Sequence, residues 1–173
     1  MNPLSPYGCA KLAIDQYLGF FRKVHGIEAV SLRYGNVYGP RQRKDGEAGV
    51  IAIFAGALLV GQTARINGTG EQTRDYVFVD DVVRANIAAS ELDLDGICNV
   101  GTGIETSVND LYAAITKAVG IDTQAEHGPA KAGEQMRSVL DGTRLRKAAN
   151  LPEPVGLGEG LRRTVEWLKS RCP

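Results

Sequence analysis

The sequence predicts a layered α/β fold. Short runs rich in β-branched and aromatic residues alternate with longer stretches of helical period, the pattern that packs helices against a sheet. Glycine, 21 in all, and proline punctuate the joints between them. With 43% hydrophobic residues in 173, the chain has enough apolar surface for the core of one domain, or for part of a larger one.

Ser5-Pro6 opens the first helix, with a capping hydroxyl and a proline whose fixed φ suits the first turn. The helical pattern runs over 7–25 and stops at Gly26. Its polar stripe is narrow, Lys11, Asp15 and Arg22, while Ala10, Ile14, Tyr17, Leu18, Phe21 and Val24 cover most of the rest. A helix so apolar is expected to bury two faces rather than one.

Residues 29–34 read as a strand, ended by Gly35-Asn36 and by Gly39-Pro40, and 41–49 as a polar loop. The apolar run 50–60 reads as a buried helix ending at Gly61. Its eleven residues fall well short of the roughly 20 needed to cross a bilayer. A short strand over 64–67 leads into Gly68-Thr69-Gly70, and 75–79 form another strand. Asp80 and Asp81 read as the N-cap of a helix reaching residue 92. A strand over 97–100, a helix over 107–119 and helical stretches near 143–149 and 158–169 complete the alternation.

Lys plus Arg equals Asp plus Glu at 20 each, so no field of one sign recruits nucleic acid or an acidic membrane. Any anion site must come from the placement of a few cations. Cys9, Cys98 and Cys172 are odd in number and scattered, with no CxxC pair or Cys/His cluster. No metal site is expected, and the cysteines read as free thiols in a reducing compartment. His25 and His127 are isolated and read as surface or loop residues. The opening residues 1–6 read as a loop rather than a secretion leader, so a cytoplasmic protein is expected.

Tyr7 and Lys11 stand four apart on the first helix, one turn from each other on the same face. An ammonium beside a phenol favours the phenolate, and such a tyrosine can take a proton from a sugar hydroxyl as hydride leaves the carbon. A Y-x-x-x-K pair alone also arises on helices by chance. No G-x-G-x-x-G loop follows a strand anywhere in the sequence. Gly101-Thr102-Gly103 follows one but lacks the third glycine, and reads as a plain turn.

The order of motifs is more specific. Ser5-Pro6-Tyr7-Gly8-Cys9-Ala10-Lys11 resembles the S-P-Y-x-x-S-K active-site helix of extended short-chain dehydrogenases. The run from Leu32-Arg33-Tyr34-Gly35-Asn36 through Val37-Tyr38-Gly39-Pro40-Arg41 resembles the L-R-Y-x-N-V-Y-G-P-R signature of the nucleotide-sugar epimerases related to UDP-glucose 4-epimerase. Residues 66–81 match the I-x-G-x-G-x-Q-x-R-D-x-x-x-V-x-D pattern of that family nearly throughout. Asn99-Val100-Gly101-Thr102-Gly103 matches its N-x-G-x-G turn, and Gly133-Glu134 with Arg137-Ser138 resembles its G-D-x-x-R-S loop. Five motifs in family order cover 3–169, and on them the chain is identified as a member of the NAD-dependent epimerase/dehydratase family.

The resemblance implies a fold and a set of roles. The fold is the C-terminal part of a Rossmann-like enzyme with its small substrate-binding domain, the dinucleotide-binding half lying outside these residues. Residues 1–40 would close the nucleotide-binding domain and 41–173 would form mainly the substrate region, with a strand and helix near 73–100 returning to the first. Tyr7 would be the acid/base, and Lys11 would orient the nicotinamide ribose of NAD. Tyr34 and Gly35 would line the nicotinamide side. Asn36 would reach the diphosphate or sugar of a UDP-sugar substrate, and Ile66 its base. Arg74, Arg137 and Lys131 would hold the diphosphate, since a guanidinium fork donates two parallel hydrogen bonds to phosphate. Glu134, where the family has Asp, would hold ribose hydroxyls. The Tyr7-bearing helix would pair with a second subunit in a four-helix bundle, giving a homodimer.

The departures are Ala10 in place of serine before the lysine, and Asn150-Leu151-Pro152 in place of G-W-x-P. Only six residues precede Tyr7, so the family's catalytic Ser/Thr, some twenty residues before the tyrosine, is not among them. The expected activity is NAD-dependent inversion at C4 of a UDP-hexose, with these 173 residues alone inactive and binding NAD weakly or not at all. The alternative is a non-catalytic fragment of an epimerase that binds UDP-sugars or associates with itself.

Overall fold

The computed structural model describes residues 3, 5–43, 49–92, 94 and 96–171. Cys172 and most of the expected 41–49 loop lie outside them.

Helix α1 (Pro6–His25) is capped at its start by Ser5 and ends at Gly26, whose φ of 65° is the left-handed turn glycine accepts readily. Strand β1 (Val30–Tyr34) returns beneath it. The faces of α1 are the reverse of the expectation. The half-buried positions against β1 are Leu12, Asp15, Leu18 and Arg22, so two of the three stripe residues point inward. Asp15 accepts hydrogen bonds from Ser31 and from Arg33 on β1. Ile14, Tyr17, Phe20, Phe21 and Val24 are exposed instead, and no residue of α1 is buried. Helical period tells which residues share a face, and here the ion pair with β1 decided which face turned in.

β1 pairs in parallel with β6 (Gly96–Val100), Tyr34 standing opposite Val100. The strand expected to end at Gly35-Asn36 resumes as β2 (Asn36–Tyr38), which pairs in parallel with β5 (Tyr76–Phe78). The change of partner happens at Gly35. Its N–H donates to the carbonyl of Val100 at 2.9 Å, and the next N–H, of Asn36, donates to the carbonyl of Asp75 at 2.6 Å. A Cβ at position 35 would stand 2.8 Å from that Asp75 oxygen, so the glycine marks a close approach of backbones rather than a stop.

Helix α3 (Val79–Glu91) follows β5 directly, with Phe78 at its N-cap and no side-chain cap. Asp80 and Asp81 therefore sit in the first turn, not at the cap, where a negative charge still suits the helix dipole. Asp81 accepts the N–H of Val155 at 3.0 Å and pairs with Arg84, and Asp80 pairs with Arg163 at 2.6 Å. These contacts tie α3 to the C-terminal segment.

The main core forms where α2 (Val50–Leu59), α4 (Val108–Val119) and α6 (Leu157–Lys169) meet Tyr38, Ile66 and Phe78. A second buried cluster lies between β5, β6, α3 and α5 (Thr143–Ala148), built on Val77, Val82, Ala85, Cys98, Val100 and Leu145. β3 (Arg65–Asn67) pairs in parallel with β8 (Glu126–Gly128). β4 (Thr73–Arg74) is the centre of a three-stranded sheet, antiparallel to β7 (Thr106–Ser107) and parallel to β9 (Arg137–Ser138). Among the described residues no helix is long and apolar enough to cross a membrane.

Candidate functional site

Tyr7 is the second residue of α1, and its side chain is 72% exposed. The Lys11 ammonium lies over its ring, 5.4 Å from the centroid. The hydroxyl of Ser5 accepts the N–H of Gly8 at 3.1 Å, which fixes the turn carrying Tyr7. Helix and strand run in opposite senses. Arg22 lies beside Gly96, which pairs with Val30, whereas Asp15 is bonded to Ser31 and Arg33. Tyr7, eight residues or roughly 12 Å further along α1, extends toward the end of β1 where Tyr34, Gly35 and Asn36 stand.

That end is the carboxyl edge of two parallel strands, the edge at which open α/β sheets bind ligands. Tyr34 donates its hydroxyl to Asn86 Oδ1 at 3.0 Å, and the side chain of Asn36 is exposed. Just behind them lies Asp75, 1% exposed. Its carboxylate accepts from the Thr102 N–H at 3.0 Å, the Thr102 hydroxyl at 2.6 Å, the Gly103 N–H at 3.1 Å and the Leu140 N–H at 3.2 Å. A Cβ on Gly101 would come within 2.5 Å of the same carboxylate, so the glycine here admits an anion rather than merely a turn. Asp75 thus joins three segments, 34–36, 101–103 and the approach to α5, at one buried point.

Its neighbours in sequence belong to the adjoining sheet. Arg74, on β4, is largely buried, donates to the carbonyl of Thr73 at 2.8 Å and stands 3.5 Å from Glu134. Glu134 also accepts from Gln72 Nε2 at 3.4 Å, and Gln72 is itself buried and bonded to the carbonyl of Asn67. Arg137, on β9, stands opposite Thr73 in register. Its guanidinium meets Glu105 with contacts of 2.6 to 3.0 Å. Hydrogen bonds from Arg137 and from Thr73, with the guanidinium charge adding, hold the Glu105 carboxyl below its usual range. Arg74 and Glu134 therefore meet on one face of β4, whereas Arg137, paired with Thr73, stands on the other face with Glu105 and apart from the diphosphate role the sequence suggested. Lys131 is exposed, and its carbonyl accepts the Glu134 N–H at 3.3 Å.

Ile66 is placed differently from the rest. Its side chain is 2% exposed and belongs to the main core, so packing rather than a ligand's base takes up that side chain.

Residues that the sequence reading did not assign complete the picture. Asp75, Gln72 and Glu105 hold the ligand candidates in place, and Tyr76 stands beside Arg74. The Tyr76 hydroxyl is buried and finds no hydrogen-bond partner among the described residues. Burial, with Arg74 pulling down and Glu134 pushing up, raises its pKa to about 12, so the phenol stays a donor at neutral pH. An unpartnered buried hydroxyl beside a guanidinium is the kind of group that a ligand oxygen satisfies. Gln72 and Asp75 stand at fixed letters of the motif over 66–81, whereas Tyr76 and Glu105 carry no such signal. Among the described residues no group of three His, Cys, Asp or Glu comes together to hold a metal ion.

Known proteins resemble this chain in sequence and fold. The model of the NAD dependent epimerase/dehydratase family matches residues 1–101. The UDP-glucose 4-epimerase of Mycolicibacterium smegmatis is 45% identical over 172 residues, 99% of this chain and 55% of that protein. The crystal structure of UDP-glucose 4-epimerase with UDP-glucose from Thermotoga maritima superposes with a TM-score of 0.94 at 44% identity, over 98% of this chain and 55% of that one. The UDP-glucose 4-epimerase of Thermus thermophilus in complex with NAD gives 0.90 at 39% identity, over 99% and 56%. The chain spans about half the length of the relatives it matches.

Proposed function

The chain belongs to the NAD-dependent epimerase/dehydratase family, and on that premise we propose that its residues form the substrate side of a UDP-hexose 4-epimerase. The observation that carries this reading is the pairing of Arg74 with Glu134 on one face of β4, with the Tyr76 phenol, unpartnered among the described residues, beside them. The Arg74 guanidinium and the phenol are donors suited to a diphosphate, and Glu134 is an acceptor suited to ribose hydroxyls. Asn36, on the strand that leads into the site, reaches the sugar or diphosphate. Lys131 adds a cation on the neighbouring loop, and the backbone around Ile66, rather than its side chain, meets the base.

The residues also fit NAD. Tyr7 and Lys11 are both exposed on one helical turn, open to a ribose and a nicotinamide, and Tyr34 and Gly35 stand at the strand end they extend toward. When bound, NAD supplies the hydride acceptor and donor. Tyr7 takes the proton from the C4 hydroxyl as that carbon is oxidised, and returns it once the 4-keto sugar has turned its other face. Lys11 holds positive charge against the developing phenolate and orients the ribose. Residues 1–40 supply this chemistry and 41–173 hold the nucleotide.

A polypeptide of these 173 residues alone does not turn over UDP-galactose in this reading, because no glycine-rich phosphate loop is among them. The outward face of α1, with Ile14, Tyr17, Phe20, Phe21 and Val24 exposed, is covered by the same helix of a second copy. Calorimetric titration with UDP tests the nucleotide site. Wild type binds, and Arg74→Ala binds at least tenfold more weakly, as loss of a charge-assisted contact entails. Equal affinities remove Arg74 from the site and the reading with it.

A further inference from the structure

Glu134 stands on a support that does little to aim it. It follows an exposed turn, residues 131–133, in which Gly133 takes a φ of 74°, and 27% of its side chain is open to water. A carboxylate on such a turn has many directions open to it, and ordering it costs a ligand part of its affinity. Two side chains of the run through β4 reach it. Gln72 and Arg74 stand two residues apart and share a face of the strand, with Thr73 turned to the other. Arg74 lies 3.5 Å from the carboxylate. Gln72, 5% exposed, donates from Nε2 to Glu134 Oε1 at 3.4 Å and to the carbonyl of Asn67 at 3.1 Å. Both partners are acceptors, so the NH2 end of the carboxamide must face them, one proton to each.

We propose that Gln72 is a positioning residue that aims Glu134 at the ribose and so sets a preference for ribonucleotides over deoxyribonucleotides. The inference rests on the reading of Glu134 as the ribose acceptor. In that reading the diphosphate draws on the Arg74 guanidinium, which loosens its hold on Glu134 as the ligand arrives. The Gln72 contact is spared, because a neutral amide attracts the phosphates far less than a guanidinium does, and its other proton is held by the Asn67 carbonyl. Asn67 follows Ile66, whose backbone meets the base in the same reading, so one buried amide spans the base side and the ribose side of the nucleoside. Its own footing is firm, since the Gln72 carbonyl accepts the N–H of Val108 at the start of α4 at 3.2 Å. A carboxylate aimed in this way rejects a sugar that lacks the hydroxyl, which would leave it desolvated and unpaired.

Calorimetric titration of the 173-residue protein with UDP, 2′-deoxy-UDP and 3′-deoxy-UDP tests this in wild type, Gln72→Met and Glu134→Ala. Gln72→Met keeps the length of the side chain and removes its donor. Wild type is expected to bind UDP on the order of tenfold more tightly than at least one deoxy analogue. Glu134→Ala is expected to close that gap, and Gln72→Met to narrow it to about threefold or less, whatever change is common to all three ligands. A role confined to bracing the fold weakens all three alike. A gap that closes in Glu134→Ala but stands in Gln72→Met therefore overturns the inference and leaves the ribose role of Glu134 in place. If wild type holds the three ligands alike, or binds none, or Glu134→Ala leaves the gap intact, the premise fails and the inference with it. The side-chain amide resonances of Gln72 give a reading that needs no variant. They are expected to move further on saturation of wild type with UDP than with the analogue it discriminates against, and equal movement overturns the proposal.

Discussion

Replacing Asp75 by alanine is the substitution expected to cost the fold most for the fewest atoms removed. The carboxylate is 1% exposed and accepts three backbone N–H groups, of Thr102, Gly103 and Leu140, together with the Thr102 hydroxyl. Each buried donor left without a partner costs roughly 1–3 kcal/mol, and neighbouring losses overlap as the loop relaxes and water enters. Asp75→Ala is therefore expected to lose about 3–5 kcal/mol, a large share of a stability on the order of 5–15 kcal/mol. Asp75→Asn keeps the shape but turns an NH2 toward N–H donors, and is expected to lose roughly half as much. Because Arg74 and the start of β2 at Asn36 hang from the same residue, UDP affinity is expected to fall with stability. Urea unfolding followed by circular dichroism measures the first and calorimetry the second. A loss under 1 kcal/mol for the alanine variant, or equal losses for both variants, would refute the claim that this buried anion ties 101–103 to the approach to α5.

Tyr76→Phe removes a hydroxyl that has no partner, so urea unfolding should show a stability unchanged or raised by about 1 kcal/mol, while UDP binding weakens severalfold. Weakened stability with intact binding would assign the hydroxyl to the fold. Asp15 is pushed up by burial but pulled down further by Ser31 and Arg33, so its folded pKa lies below the ordinary 3.8. Its contribution is thus complete above about pH 4 and lost as pH falls through the lower folded value. Asp15→Asn should flatten the stability profile in that acid range, and an unchanged profile excludes Asp15 as the tie between α1 and β1. Light scattering at micromolar concentration should report about twice the chain mass of 18.5 kDa or more, and a clean monomer would mean that α1 covers its apolar face in some other way.

Much of this architecture was legible in the residues. Ser5 with Pro6 marked a helix start because a capping hydroxyl leaves a local signature, and Gly26 marked its end because the left-handed turn favours glycine. What local pattern could not tell was how segments meet. Gly35 carried the same letter as a terminator, yet it is where one strand changes partner against Asp75. The inward turn of Asp15 depended on Arg33, eighteen residues away. β4, β7 and β9 are two residues each, too short for any period to show, and they exist because of their neighbours. For the site, family motifs named Arg74, Glu134 and Arg137; Arg74 and Glu134 stand together, while Arg137 lies with Glu105 on the other face of β4. Ile66 bore the same kind of motif but lies in the core, while Tyr76 and Glu105 emerged from their surroundings alone.

The central claim is that Tyr7 is the acid/base of an NAD-dependent epimerisation at C4 of a UDP-hexose. The direct measurement is kcat for interconversion of UDP-galactose and UDP-glucose by a polypeptide that joins these residues to a family dinucleotide-binding half, with and without Tyr7→Phe. The account predicts interconversion by the parent and a loss of roughly 10²- to 10⁴-fold in the variant, with UDP affinity held within about twofold. A parent that leaves both sugars untouched, or a variant that loses less than tenfold, would contradict it.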